Sequence, residues 1–77
     1  MNEGRAVAMN AEQRREARRL EGRMVHVALD NGVRVDDSAL ISFGRHSVWL
    51  FVNGDDAFFP VDSVVAIWES QPYRSAA

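Results

Sequence analysis

Ser47-Val48-Trp49-Leu50-Phe51-Val52-Asn53-Gly54-Asp55-Asp56-Ala57-Phe58-Phe59 is the stretch that decides how this chain folds. Val48, Leu50 and Val52 alternate with Trp49 and Phe51, a period of two that belongs to a strand, here apolar on both faces. Asn53-Gly54-Asp55-Asp56 is a hairpin turn that returns the chain through Ala57-Phe58-Phe59. Phe58 and Phe59 are neighbours in a strand and so point to opposite sides. A small sheet has one interior, so large side chains on both faces require a second burial site. That site is expected at a joint with another subunit or partner, where aromatic residues are enriched.

Towards the C-terminus, Pro60-Val61-Asp62-Ser63 breaks the strand and predicts one short helical turn before a last strand from Val64 to Trp68. Towards the N-terminus, Gly44-Arg45-His46 reads as a turn and Ala39 to Phe43 as a strand that begins at Val33. Asp36-Asp37-Ser38 interrupts that strand and predicts a bulge or sharp bend at a sheet edge. Before it, Val25, Val27 and Leu29 alternate with His26, Ala28 and Asp30, which is a further strand. The loop between them follows from the apolar face. A two-residue Asn31-Gly32 loop would set Leu29 against Arg34, whereas a three-residue Asp30-Asn31-Gly32 loop sets Leu29 against Val33 and Val27 against Val35. The three-residue loop, with Gly32 left-handed, is the expected one.

The chain opens with a different period. Asn10 is a good N-cap, Gln13 stands in the capping-box position, and Gly22 follows where a left-handed C-cap sits, so a helix is predicted over 10–21. Met9, Gln13, Ala17, Leu20 and Met24 fall on one narrow arc of the wheel, and Arg14, Arg15, Arg18, Arg19 and Arg23 on the opposite half. So narrow a stripe cannot hold an isolated helix in water; the helix must dock on the strands. Residues 1–9 and 70–77 carry no periodic pattern and are expected to be flexible ends.

Composition bounds the rest. At 77 residues the chain is one small domain with a thin core. It has no cysteine, which excludes disulfides, Cys-based zinc sites and thiol nucleophiles. Oligomerisation is then the expected source of extra stability. The net charge of -2 conceals an asymmetry: residues 1–23 hold six Arg against four Glu, and residues 24–77 hold three Arg against seven acids. The first residues show no apolar stretch followed by a cleavage site, and a cytoplasmic location is expected.

The order of a helix followed by five short strands, with a hydrophobic strand ending in Asn31-Gly32, a long bent strand ending in Ser42-Phe43, the apolar strand Val48 to Val52 and the closing run Phe58 to Ile67, resembles the Sm-like family, and most closely its bacterial Hfq branch. The resemblance spans residues 10–69. It implies a mainly β fold with one N-terminal α-helix, a small, strongly bent five-stranded barrel of the SH3-like or Sm-like kind. It further implies a ring of six or seven subunits in which strands four and five of neighbours pair, with RNA bound around the pore or on the ring faces. Two departures concern the RNA pocket. Asp36-Asp37-Ser38 stands where the family usually has a Gly, and Pro60-Val61-Asp62-Ser63 places an acid where the family carries a base.

No catalytic constellation is present, and no metal or cofactor is implied. His26 and His46 lack a ligand spacing, and Asn53-Gly54-Asp55-Asp56 lacks the length and closing Glu of a calcium loop. The candidate nucleic-acid-binding residues are Arg14, Arg15, Arg18 and Arg19, whose guanidinium groups on one helix face suit phosphate oxygens. Glu12, Glu16 and Glu21 flank that face, so a solvated surface, or one meeting acidic residues of the body, is the competing reading. The candidate oligomer interface is Phe58, Phe59, Val64, Val65, Ile67 and Trp68. The expected partners are further copies of the chain and RNA; the alternative is a protein-interaction module with an acidic binding surface and no nucleic-acid role.

Overall fold

The capping chemistry of Asn10 operates as read. In the computed structural model, which describes residues 8–70, the Asn10 side chain accepts from the Gln13 amide at 2.8 Å and Gln13 Oε1 accepts from the Asn10 amide at 2.8 Å. The helix that follows, α1 (Ala11–Arg18), is shorter than expected. Beyond Arg18 the hydrogen bonds tighten to three-residue spans, Leu20 to Ala17 and Arg23 to Leu20. Gly22, with φ +88°, then donates its amide to the Leu40 carbonyl at 2.7 Å. The chain is drawn onto a strand before the last predicted turn can form. Met24 accordingly leaves the helix stripe: it opens β1 (Met24–Leu29) and is exposed.

After β1 come β2 (Arg34–Phe43), β3 (Ser47–Val52), β4 (Asp55–Pro60), a single 3-10 turn (Val61–Ser63) and β5 (Val64–Glu69). The β1–β2 loop has the three-residue form. Val27 pairs with Val35, the Leu29 amide donates to the Val33 carbonyl at 2.9 Å, and Gly32 has φ +88°. The β3–β4 loop is tighter than the four-residue turn anticipated. Asn53 and Gly54 alone turn the chain, both at positive φ, so Asp55 and Asp56 are strand residues opposite Val52 and Phe51.

The fold is mainly β: one N-terminal helix and five antiparallel strands in a single sheet, ordered β4-β3-β2-β1-β5. It is barrel-like in its bending and open in its pairing, since β4 and β5 lie at opposite edges and do not pair with each other. The bent five-stranded barrel that the sequence implies is present in the curvature of the sheet, while both of its edges stay unpaired among the described residues. Three register shifts bend the sheet. Asp36 and Asp37 bulge opposite His26 on β1, Ile41 is the extra residue against β3, and Val65 is the extra residue against β1. The Asp36-Asp37 irregularity was expected at an edge; β2 is the central strand, and the bulge is tolerated because both carboxylates project into solvent.

One side of the bent sheet faces the core. Val25, Val27, Leu29, Leu40, Phe43, Val48, Leu50, Val61 and Val64 are buried there, and α1 covers it with Met9 and Ala17. Met9 thus belongs to the core rather than to a flexible end, and Ser70 is held through its amide to the Met24 carbonyl at 2.8 Å; the remainder of the two expected flexible ends lies outside the described residues. Ser38, the one buried polar side chain among the described residues, donates its hydroxyl to the Val25 carbonyl at 3.3 Å. No described helix is long and apolar enough to cross a membrane.

Candidate functional site

Three surfaces are built on this frame. The first is a groove between α1 and β5. Arg14 at the start of α1 pairs with Asp62 at 3.0 Å, and Arg23 after its end pairs with Glu69 at 3.0 Å. These two bridges, 48 and 46 residues apart in sequence, lay the helix along β5 from one end to the other. They leave an open groove of about 660 Å³ whose walls include Met9, Ala17, Leu20, Val65 and Ile67, with Glu12, Glu16, Arg19 and Arg23 at its margin. β5 contributes its free edge to this groove.

The second surface is the Arg face of α1. Arg14 does not share it fully: besides Asp62, its Nε donates to the Met9 carbonyl at 3.2 Å, and it is only half exposed. Arg18 is exposed and rests its guanidinium carbon 5.9 Å from the centre of the Phe43 ring. Arg15, Arg18 and Arg19 make no ion pair among the described residues. Of the four candidates the structure therefore brings three to open surface and ties the fourth to the 3-10 turn.

The third surface is the outer face of the sheet, and its two ends differ. Over β1, β2 and β5, His26 packs 5.7 Å from Trp68, and Arg34 lies 5.2 Å over the other ring system of that cluster, the Trp68 indole. Asp36 accepts from Arg34 Nη2 at 2.7 Å and stands 3.0 Å from His26 Nδ1. The Arg34 hydrogen bond holds the Asp36 carboxyl below the ordinary range of aspartate. Ser70 donates to Asp37 at 3.0 Å. His26 is half-buried within this network, while His46 is exposed in the β2–β3 turn. Over β3 and β4, by contrast, Trp49 and Phe58 stack at 5.5 Å, with Phe51 and Ile41 exposed beside them.

Comparison with family models, curated proteins and solved structures finds no match to this chain. The geometry of these surfaces must carry the functional reading alone.

The six candidate interface residues divide by face. Phe58 points outward and is 61% exposed, and Trp68 is also exposed on the outer face. Phe59 points inward and packs at the margin of the core, as does Ile67. Val64 is fully buried, so its side chain is core and only its backbone reaches the edge, whereas Val65 lines the groove. Sequence reasoning missed Asp55 and Asp56, which it assigned to a turn; the Asn-Gly pair was signal enough for a two-residue loop that makes them strand residues.

Proposed function

We propose that this chain is a subunit of a homo-oligomer assembled by sheet extension, β4 of one copy adding to β5 of the next, as in the Sm-like rings that the sequence resembles, and that the assembly contacts RNA through Arg15, Arg18 and Arg19. The observation that carries the assembly is the pair of open edges at opposite ends of one bent sheet. Two different edges pair head to tail, and repetition of a head-to-tail contact with rotation closes a ring. An unpaired edge of this kind is otherwise an aggregation hazard.

Three features support the pairing. The α1–β5 groove offers an apolar socket beside the β5 edge, and Phe59, inward-facing and half-buried on β4, is positioned on the matching side of an added strand. Charge selects the direction: antiparallel addition brings Asp55, which opens β4 on its inner side, towards the end of β5 where Arg23 lines the groove.

Light scattering tests this reading. The wild-type chain is expected to have the mass of a closed oligomer, and a monomer at high concentration would sink the proposal. Val65→Asp places an unpaired charge in the groove and should give folded monomers, with the circular dichroism of the sheet retained. Phe59→Asp is a poorer test, because Phe59 also packs on its own core. For RNA, Arg15, Arg18 and Arg19 changed together to Gln should weaken binding and flatten the slope of log affinity against log salt by about 0.7 per lost contact. Arg14 is left intact in that variant because it anchors the helix.

A further inference from the structure

We infer that the outer face of β3 and β4 is a docking site for a cationic, aliphatic-rich peptide segment of a partner protein. Sheet extension consumes the edges of β4 and β5 and leaves this face open, so the inference stands apart from the assembly proposed above.

Trp49 (37% exposed), Phe51 (44%), Phe58 (61%) and Ile41 (42%) form the apolar part of the face. Cross-strand pairing places Trp49 directly opposite Phe58 and Phe51 directly opposite Asp56, so the aromatic and acidic residues share one surface. This indole is fixed in place: Trp49 Nε1 donates to Asp56 Oδ1 at 2.9 Å while its ring stacks on Phe58 with an interplanar angle of 27°. A flat, oriented aromatic pair costs little further conformational entropy when a partner covers it.

The charge around the face decides the partner. Between Ser38 and Pro60 the charged residues are Arg45, in the turn at the far end of β3, Asp56, opposite Phe51 on this face, and Asp55, opposite Val52 and so on the other face. Neither Asp55 nor Asp56 is in an ion pair among the described residues. A nucleic acid stacking its bases on Trp49 and Phe58 would bring phosphates against the Asp56 carboxylate, whereas single-strand platforms flank their aromatics with cations. An Arg- or Lys-bearing peptide meets the opposite situation. Its cation reaches the free oxygen of Asp56, its methylene stem lies on the indole, and an aliphatic neighbour covers Phe51 and Ile41.

The probe is the peptide acetyl-Arg-Leu-Arg-Leu-Arg-amide, titrated into the full-length protein while the two indole N–H signals are followed by NMR. A Trp68→Phe variant assigns them. The Trp49 signal should move saturably and the Trp68 signal should not. Asp56→Asn keeps an acceptor for the Trp49 indole and removes the charge, and should weaken the peptide about threefold, the order expected for one exposed charge contact. The proposal is overturned if the Trp49 signal does not move. It is equally overturned if acetyl-Glu-Leu-Glu-Leu-Glu-amide moves it at the same concentration, or if oligouridylate binds this face more tightly than the cationic peptide does. A Trp49 shift that follows protein concentration without any peptide would assign the face to a second copy of the chain and also overturn it.

Discussion

The outer face of this sheet is finished at one end and unfinished at the other. Over β1, β2 and β5 the indole of Trp68, itself 40% exposed, sits in a network of its own chain: His26 packs against it, Arg34 lies over it, and Asp36 contacts both the His26 ring and the Arg34 guanidinium. Over β3 and β4 the indole of Trp49 has only Phe58 and the single bond to Asp56, and Phe51 and Ile41 stand open beside it. The two ends use the same residue types on the same side of one sheet. What separates them is whether a long cation in the chain reaches the aromatic ring. Arg34 does so at Trp68, and among the described residues no cation lies over the Trp49 ring.

The largest effect that sharpens this contrast lies beneath it. Leu50 and Phe51 are sequence neighbours on opposite faces of β3, one fully buried and one open. Leu50→Ala should cost about 2–5 kcal/mol in urea unfolding, whereas Phe51→Ser should stay within about 0.5 kcal/mol of wild type. If both cost the same, Phe51 is packed in the free protein and the aromatic end is not unfinished.

At the satisfied end, Arg34→Ala uncovers Trp68 and should lower stability by about 0.5–1 kcal/mol, the worth of an exposed cation over an aromatic ring. The corresponding removal at the other end, Arg45→Ala, should have no measurable effect. Asp36 supplies the pH dependence of the same cluster. Its carboxyl is held below the ordinary range in the folded chain, first by the Arg34 hydrogen bond. A depressed carboxyl contributes stability that is present above the unfolded pKa of about 4 and lost as pH falls through the folded value. Thermal unfolding should therefore show a stability loss on acidification that is smaller in Asp36→Asn. An unchanged acid profile in that variant would remove Asp36 from the account. The smallest effect expected is that of Arg15, Arg18 and Arg19 changed to Gln, which should leave stability within about 0.5 kcal/mol, since Gln keeps helix propensity and these residues make no ion pair among those described.

The sequence by itself determined everything in this protein that is decided within a few residues. Asn10 and Gln13 cap each other because the capping box closes over one helical turn. Asp30-Asn31-Gly32 sets the β1–β2 register because the wrong loop length would turn Leu29 outward, and the period of two in Ser47 to Val52 sorts Leu50 from Phe51 without any knowledge of neighbours. Tertiary structure alone decided what depends on residues far apart. A period of two says which side a residue faces but not which strand lies beside it, so the pairing of β1 with β5 and the survival of two open edges could not be read. Helix propensity runs through Glu21, yet the Gly22 amide donates to the Leu40 carbonyl and the Leu40 amide to the Arg23 carbonyl, and this pairing ends α1 at Arg18. Arg14 belongs by its wheel position to the solvent face, and only the approach of Asp62 makes it an anchor. The Asp36-Asp37 bulge looks like an edge feature until His26, Arg34 and Ser70 are seen to surround its carboxylates, because local backbone preference carries no information about the partners that a distant segment will bring.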